Sequence, residues 1–183
     1  MDSLNSLAEQ IKKCTNCALS EGRTKTVPGD GNPQADIMFI GEGPGKEEDK
    51  QGLPFVGSAG KFLDELLATI NLERSDVFIG NVVKCRPPDN RDPLPEEIKT
   101  CFPYLQQQIE LIKPKLIATL GRHAMYQFLP EDLRISQVHG RPFRRHGQVY
   151  LPLYHPAAAL YHGSLRETII NDFKKIPLIL KKI

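Results

Sequence analysis

Four cysteines stand in this 183-residue chain, and their spacing is the first feature with chemical content. Cys14 and Cys17 form a C-x2-C pair, whereas Cys85 and Cys101 are separated by fifteen residues. A C-x2-C pair lets two thiolates grip one metal centre from a tight turn, and two further thiolates complete an all-cysteine site. Zinc and an iron–sulfur cluster both accept four cysteine ligands, and spacing alone does not separate them. A second C-x2-C pair would have favoured a zinc ribbon. A site of this kind staples two distant segments, which predicts a structural role more than a redox one.

A second chemical feature is the run Gly41-Glu42-Gly43-Pro44-Gly45, which lets backbone turn sharply and approach a ligand closely. It is not the dinucleotide fingerprint, whose third glycine falls one residue later, and Gly52 to Gly57 lacks the lysine of a phosphate-binding P-loop. Ser58 and Lys61 match S-x-x-K without its partner motifs. Gly57-Ser58 at a helix start instead offers backbone N–H groups to a phosphate. Asn81, closing an apolar run, and His155, preceding a proline, complete the polar candidates. Read singly, they are an ordinary turn asparagine and a turn histidine.

These residues need elements to position them. Leu4, Leu7 and Ile11 share a helical face behind Ser3, giving a short helix over 3–12. Ile37–Ile40 reads as a strand, followed by the glycine-rich loop and a helix behind Ser58 with Phe62, Leu63, Leu66, Leu67 and Ile70 on one face. Val77–Val83 reads as a second strand. Pro95 opens a helix to about Ile112 that Pro103 should disturb, and Leu116–Leu120 is a third strand. A short helix from Arg122, a basic hairpin around Arg144–Gly147, a last strand Val149–Leu153 and a helical tail from Ser164, kinked or ended by Pro177, follow. Alternating strands and helices predict an α/β domain spanning 1–183, its mostly parallel sheet covered on both faces and its functional loops at the carboxyl ends of the strands.

Composition narrows the setting. With 24 Lys+Arg against 22 Asp+Glu the formal charge is +2, so any basic nucleic-acid surface must be local. No apolar run approaches the roughly 18 residues of a membrane span, and the first residues lack a signal-peptide core. A cytosolic protein with reduced thiols is expected.

Four segments then carry a resemblance: Gly41–Gly45 continuing to Glu48-Asp49, Pro54–Gly60, Asn81–Pro88 and His155–Ala158. Together with the four cysteines they resemble the motif series of the family 4 uracil-DNA glycosylases, from Cys14 to about Tyr161. The resemblance implies a three-layer α/β/α sandwich, a 4Fe-4S cluster on Cys14, Cys17, Cys85 and Cys101, and hydrolytic removal of uracil from DNA.

An enzyme that cuts the bond between base and sugar must extrude the base, stack on it and read its Watson–Crick edge. In such a site Phe55 offers the stacking face. Asn81 accepts from uracil N3–H and donates to O4, a pattern that cytosine inverts. His155, neutral, donates one N–H toward O2 as negative charge develops on the base. Related families carry a water-activating Asp where this chain has Gly43, which otherwise lines the substrate site. Glu48, Glu42 or loosely held solvent are then the candidates for that role, and Glu48 alternatively excludes the methyl group of thymine. DNA contacts are expected from Ser58, Arg86, Leu160 as a wedge, and Tyr161 where the family often has Arg. Lys84, Arg91, Arg141, Arg144 and Arg145 are further candidates for the DNA backbone. The expected working form is a monomer on single- or double-stranded DNA. Two rival readings remain: a noncatalytic metal-stapled nucleic-acid module, which would tolerate loss of Asn81 and His155, and a superfamily member that crosslinks to the abasic site. The second would carry a basic, His-containing insertion after Phe55, and none stands between Ser58 and Val77.

Overall fold

The computed structural model describes residues 3–183. The chain opens with α1 (Leu4–Lys13), whose Ser3 cap accepts the Ser6 N–H at 3.2 Å, and α2 (Leu19–Gly22). The central sheet comprises β1 (Asp30–Gly31), β2 (Ile37–Gly41), β3 (Phe78–Asn81), β4 (Leu116–Leu120), β5 (Phe143–Arg145) and β6 (Gln148–Leu153). Between β2 and β3 lie α3 (Lys46–Gln51) and α4 (Ser58–Ala68), and α5 (Pro95–Ile112) joins β3 to β4. The short α6 (Arg122–Met125) and α7 (Ile135–Val138) precede β5, and α8 (Ala158–Tyr161), α9 (Leu165–Phe173) and α10 (Ile176–Leu180) follow β6.

The strands run in the order β1-β3-β2-β4-β6-β5. The inner four are parallel, and the edge strands β1 and β5 pair antiparallel to β3 and β6. This architecture is the expected α/β sandwich. Every residue of β2, β3 and β4 is buried, which is why they read as apolar runs whose only polar members are Asn81 and Thr119. Alternate side chains enter opposite layers. Ile37, Phe39, Leu116, Ala118, Leu151 and Leu153 meet α4, α9 and α10, whereas Met38, Ile40 and Ile117 meet the α5 side. The chain moves one way across the sheet from β2 to β3 and reverses to reach β4. Right-handed crossovers then place α4 and α5 on opposite faces.

Four local expectations change. The second strand is shorter than Val77–Val83 and ends at Asn81, because Val82 and Val83 turn their N–H groups to the carbonyls of Gly41 and Glu42. Helix α5 runs through Pro103 without interruption. The carbonyl deprived of a donor by that proline belongs to Lys99, an exposed residue that water can satisfy. The six-residue α3 was hidden in a segment read as loop, since its acidic first turn has no apolar periodicity. The edge strand β1, two residues long, left no pattern either.

Phe39 of β2 stacks on Phe173 of α9 with ring centroids 5.6 Å apart and planes 2° apart, both fully buried. Phe173→Ala should therefore lower stability by about 3–5 kcal/mol, read as a shifted urea midpoint at unchanged slope. A loss below about 1 kcal/mol would show that the helical layer does not depend on this contact.

Candidate active site

The carboxyl ends of the parallel strands bring Gly41, Asn81 and His155 together, and the loop before α4 adds Phe55. Gly41 is the floor of this arrangement. A Cβ placed there would lie 2.5 Å from Asn81 Oδ1 and 2.8 Å from Phe55 Cζ, so only glycine lets the amide and the ring meet over the β2 end. Asn81 is 2% exposed and its Oδ1 has no hydrogen-bond partner. A buried amide oxygen left unpaired is destabilising by about 1–3 kcal/mol unless a ligand supplies the donor. The Phe55 ring stacks on His155 at 5.5 Å between centroids and 28° between planes.

Phe55 sits at φ 52°, the left-handed region, which strains a bulky residue by roughly 1–2 kcal/mol. Its turn is tied on both sides. Glu48 of α3 accepts the Val56 and Gly57 N–H groups on Oε1 at 2.9 and 3.0 Å. From the opposite direction Arg74 donates to the carbonyls of Pro54, at 2.9 Å, and Phe55, while its Nε holds Asp64 at 2.6 Å. A Cβ on Gly60 would overlap the Phe55 carbonyl, so α4 can pass this close only with glycine there. Arg74 escaped the sequence reading because it belongs to no chemical motif, and Gly60 lies inside the Pro54–Gly60 segment without a role of its own there.

His155 accepts the Ala157 N–H on Nδ1 at 3.1 Å, which leaves Nε2 to carry the ring proton as a donor. Burial pushes its pKa down to about 4, with the Glu48 charge opposing. The ring is therefore neutral at physiological pH. Glu42 faces a different cluster: His123 Nε2 lies 3.7 Å from Glu42 and 3.2 Å from Asp92. Burial raises the Glu42 pKa, and His123 opposes the rise. Gly43 lies against the neighbouring loop, where a Cβ would meet Val83 Cγ2 at 2.8 Å. A carboxylate at that position would have to displace a packed valine.

Of the residues expected to touch DNA, Ser58 opens α4 exposed, and Leu160 and Tyr161 of α8 are 49% and 83% exposed. Arg86 is half-buried and bonds Asn90 at 2.7 Å. Lys84 corrects its expectation. It is 1% exposed, donates to the Asn81 carbonyl at 2.9 Å and to Gln108 at 2.6 Å, and burial lowers its pKa to about 8. Arg91 is likewise engaged, in a two-pronged bond to the buried Glu97 at 2.7 and 2.9 Å. Arg144 and Arg145 lie in β5, whose hairpin leads into the start of β6. That places them roughly 17 Å of strand from the end that leads to His155. Arg141 lies at the site end, beside the bond from Gly140 N–H to the Pro152 carbonyl.

The four cysteines converge although three chain segments carry them. All four line one cavity with Ile11, Arg23, Lys84 and Tyr104. Arg23 donates to Cys85 Sγ at 3.2 Å, and the Lys84 N–H to Cys101 Sγ at 3.3 Å. Burial pushes the Cys101 thiol up to about 11, Lys84 opposing, so a thiolate there calls for a cation. Among the described residues, Glu42, Asp92 and His123 form the one group of three or more ligand atoms within 4.8 Å of one another. No three of the four sulfurs therefore lie mutually within 4.8 Å, whereas a closed tetrahedral Zn–S4 centre with 2.3 Å bonds has edges of roughly 3.8 Å. Four thiols around a cavity, rather than a point, fit a multi-iron cluster.

A profile described as the uracil DNA glycosylase superfamily matches residues 28–175. The chain is 49% identical over 185 residues to the type-4 uracil-DNA glycosylase of Sulfurisphaera tokodaii, covering 96% of this chain and 84% of that protein. It is also 49% identical to the one from Archaeoglobus fulgidus, with 96% and 92% covered. The enzyme of that name from Thermotoga maritima is 45% identical, with 96% and 94% covered. Likeness of this extent, running through the strand ends that carry Gly41, Asn81 and His155, makes the chain a member of the uracil-DNA glycosylase superfamily, within its type-4 group.

Proposed function

We propose that the chain hydrolyses the bond between uracil and deoxyribose in DNA, the opening step of base excision repair. The observation that carries this reading is the buried, unpartnered Asn81 Oδ1 beside the Phe55 ring. The amide is matched to the uracil edge: Oδ1 accepts N3–H and Nδ2 donates to O4. Cytosine would leave both groups unpaired. A crosslinking enzyme would need an added loop after Phe55, where this chain forms α4 and the turn Arg74–Asp76.

The reaction breaks C1′–N1, its electron pair passing to uracil and leaving cationic character on the sugar, to which water adds. His155 acts as a neutral donor from Nε2 to uracil O2, strengthening as that oxygen gains charge. Glu48 fits the water-orienting role better than Glu42, since Glu42 faces His123 and Asp92 while Glu48 anchors the Phe55 turn through Oε1 and keeps Oε2 over Gly45. The exposed Leu160 fills the gap left by the flipped base, and Tyr161, Ser58 and Arg86 hold the strand.

Cys14, Cys17, Cys85 and Cys101 would hold a 4Fe-4S cluster. When bound it supplies cross-linking, joining the segment after α1 to the β3 loop and α5. The scattered exposed hydrophobic residues suit a monomer, a single glycosylase domain working in the cytoplasm; among the described residues no helix is long and apolar enough to cross a membrane.

Incubation with a labelled uracil-containing oligonucleotide, then alkaline cleavage, should reveal abasic sites. Asn81→Asp should lower that activity about 10²-fold, since a carboxylate cannot donate to O4, and should gain measurable cytosine release. Unchanged uracil activity would remove Asn81 from the pocket. Because the folded His155 pKa is depressed, its stabilising contribution is full above the unfolded value near 6.5 and is lost as pH falls toward 4. NMR titration should accordingly show His155 neutral down to about pH 5, with no His155 limb near pH 6.5 in the single-turnover rate. Anaerobically prepared protein should be brown with about four irons per chain. Colourless, active protein with stoichiometric zinc would overturn the cluster assignment.

A further inference from the structure

Arg74 lies outside every motif, yet its guanidinium meets the one strained segment of the active site. It donates through Nη1 to the Pro54 carbonyl at 2.9 Å and through Nη2 to the Phe55 carbonyl, with the Gly60 carbonyl at 3.5 Å. Nε is held by Asp64 of α4 at 2.6 Å. The backbone of Arg74 is itself fixed, because it opens a single helical turn closed by reciprocal bonds between Glu73 and Asp76. The turn it braces carries Phe55 at φ 52°, and the ring beyond that backbone stacks on His155 and borders Asn81 across Gly41.

We propose that Arg74, oriented by Asp64, is a positioning residue for uracil recognition, fixing the Phe55 platform at the angle and depth that the base requires. The inference rests on reading Phe55 as that platform. A planar fork with five donors can serve a carboxylate and several carbonyls together, which an ammonium cannot. The two tied sides of the turn are complementary. Glu48 holds its N–H groups and Arg74 its carbonyls, so neither flank can relax Phe55 toward ordinary φ while both remain. Losing Arg74 frees the carbonyl flank, and the ring then drifts from its stacking plane. Displacement of about 1 Å at a reacting centre can cost on the order of 10²-fold in rate.

A double-mutant cycle between Arg74→Ala and Phe55→Ala tests this, read by single-turnover uracil excision, by inhibition with free uracil, and by affinity for DNA bearing a tetrahydrofuran abasic analogue. Arg74→Ala should slow excision about 10- to 100-fold and weaken free-uracil inhibition in parallel, with abasic-DNA affinity kept within about twofold. In the Phe55→Ala background the same change should cost less than about threefold, because a residue acting through Phe55 has nothing left to position. Arg74→Lys should recover part of the rate. Full excision in Phe55→Ala would instead overturn the platform reading itself. If Phe55→Ala impairs excision but the two losses multiply, or if Arg74→Ala excises normally, the positioning role is wrong. Should Arg74→Ala fail to fold, Asp64→Ala and Arg74→Lys decide: a weakened uracil inhibition in both supports the role, and parental values in both refute it.

Discussion

The Phe55 turn is held in a left-handed conformation between a carboxylate and a guanidinium, and the arrangement of the site follows from that restraint. A phenylalanine does not adopt this backbone unaided. Glu48 reaches it because α3 begins directly after the glycine loop, and Arg74 because a short capped turn leads the chain into β3. Both anchors therefore depend on connections flanking the same two parallel strands. Gly41 and Gly60 supply the absent side chains without which ring, amide and helix could not approach.

On the other face of the sheet a different restraint fixes Asn81. Lys84 is buried with its ammonium on the Asn81 carbonyl and on Gln108, whose own amide donates to the Pro28 carbonyl at 2.7 Å. Its backbone N–H meanwhile points at Cys101 Sγ. A buried lysine satisfied in this way joins the cysteine-lined cavity to the strand end that carries Asn81. The cavity and the pocket are thus consecutive parts of one short stretch, Asn81 to Cys85, facing opposite layers.

The electrostatics of the site favour neutral donors over charged ones. His155 is held uncharged by burial, and its tautomer is set by one backbone N–H. A neutral imidazole that donates only from Nε2 suits the proposed role, in which the donor strengthens as charge develops on the base. Positive charge is directed elsewhere: Lys84 to the Asn81 carbonyl and Gln108, Arg23 to the Cys85 thiol, Arg74 to the Phe55 turn, and Arg91 to Glu97.

The sequence by itself determined whatever depends on local pattern. Short, predominantly apolar runs marked β2 and β4, and the cap at Ser3 and the proline at 95 marked α1 and α5, because these signals act within a few residues. Residue type and spacing also marked the four cysteines, whereas Phe55, Asn81 and His155 stood out only through the resemblance of the segments that carry them to a known family. What only the tertiary structure decided involves partners far apart in the chain or a backbone angle imposed by packing. Lys84 read as a surface charge and proved to be core, for no local signal reveals that Gln108 waits 24 residues away. Arg74 serves carbonyls 19 and 20 residues behind it, Arg23 a thiol 62 residues ahead, and the distances among the thiols exist only once three segments close on one cavity. A side chain's type limits the bonds it can make, and close packing of distant segments selects which of those bonds form.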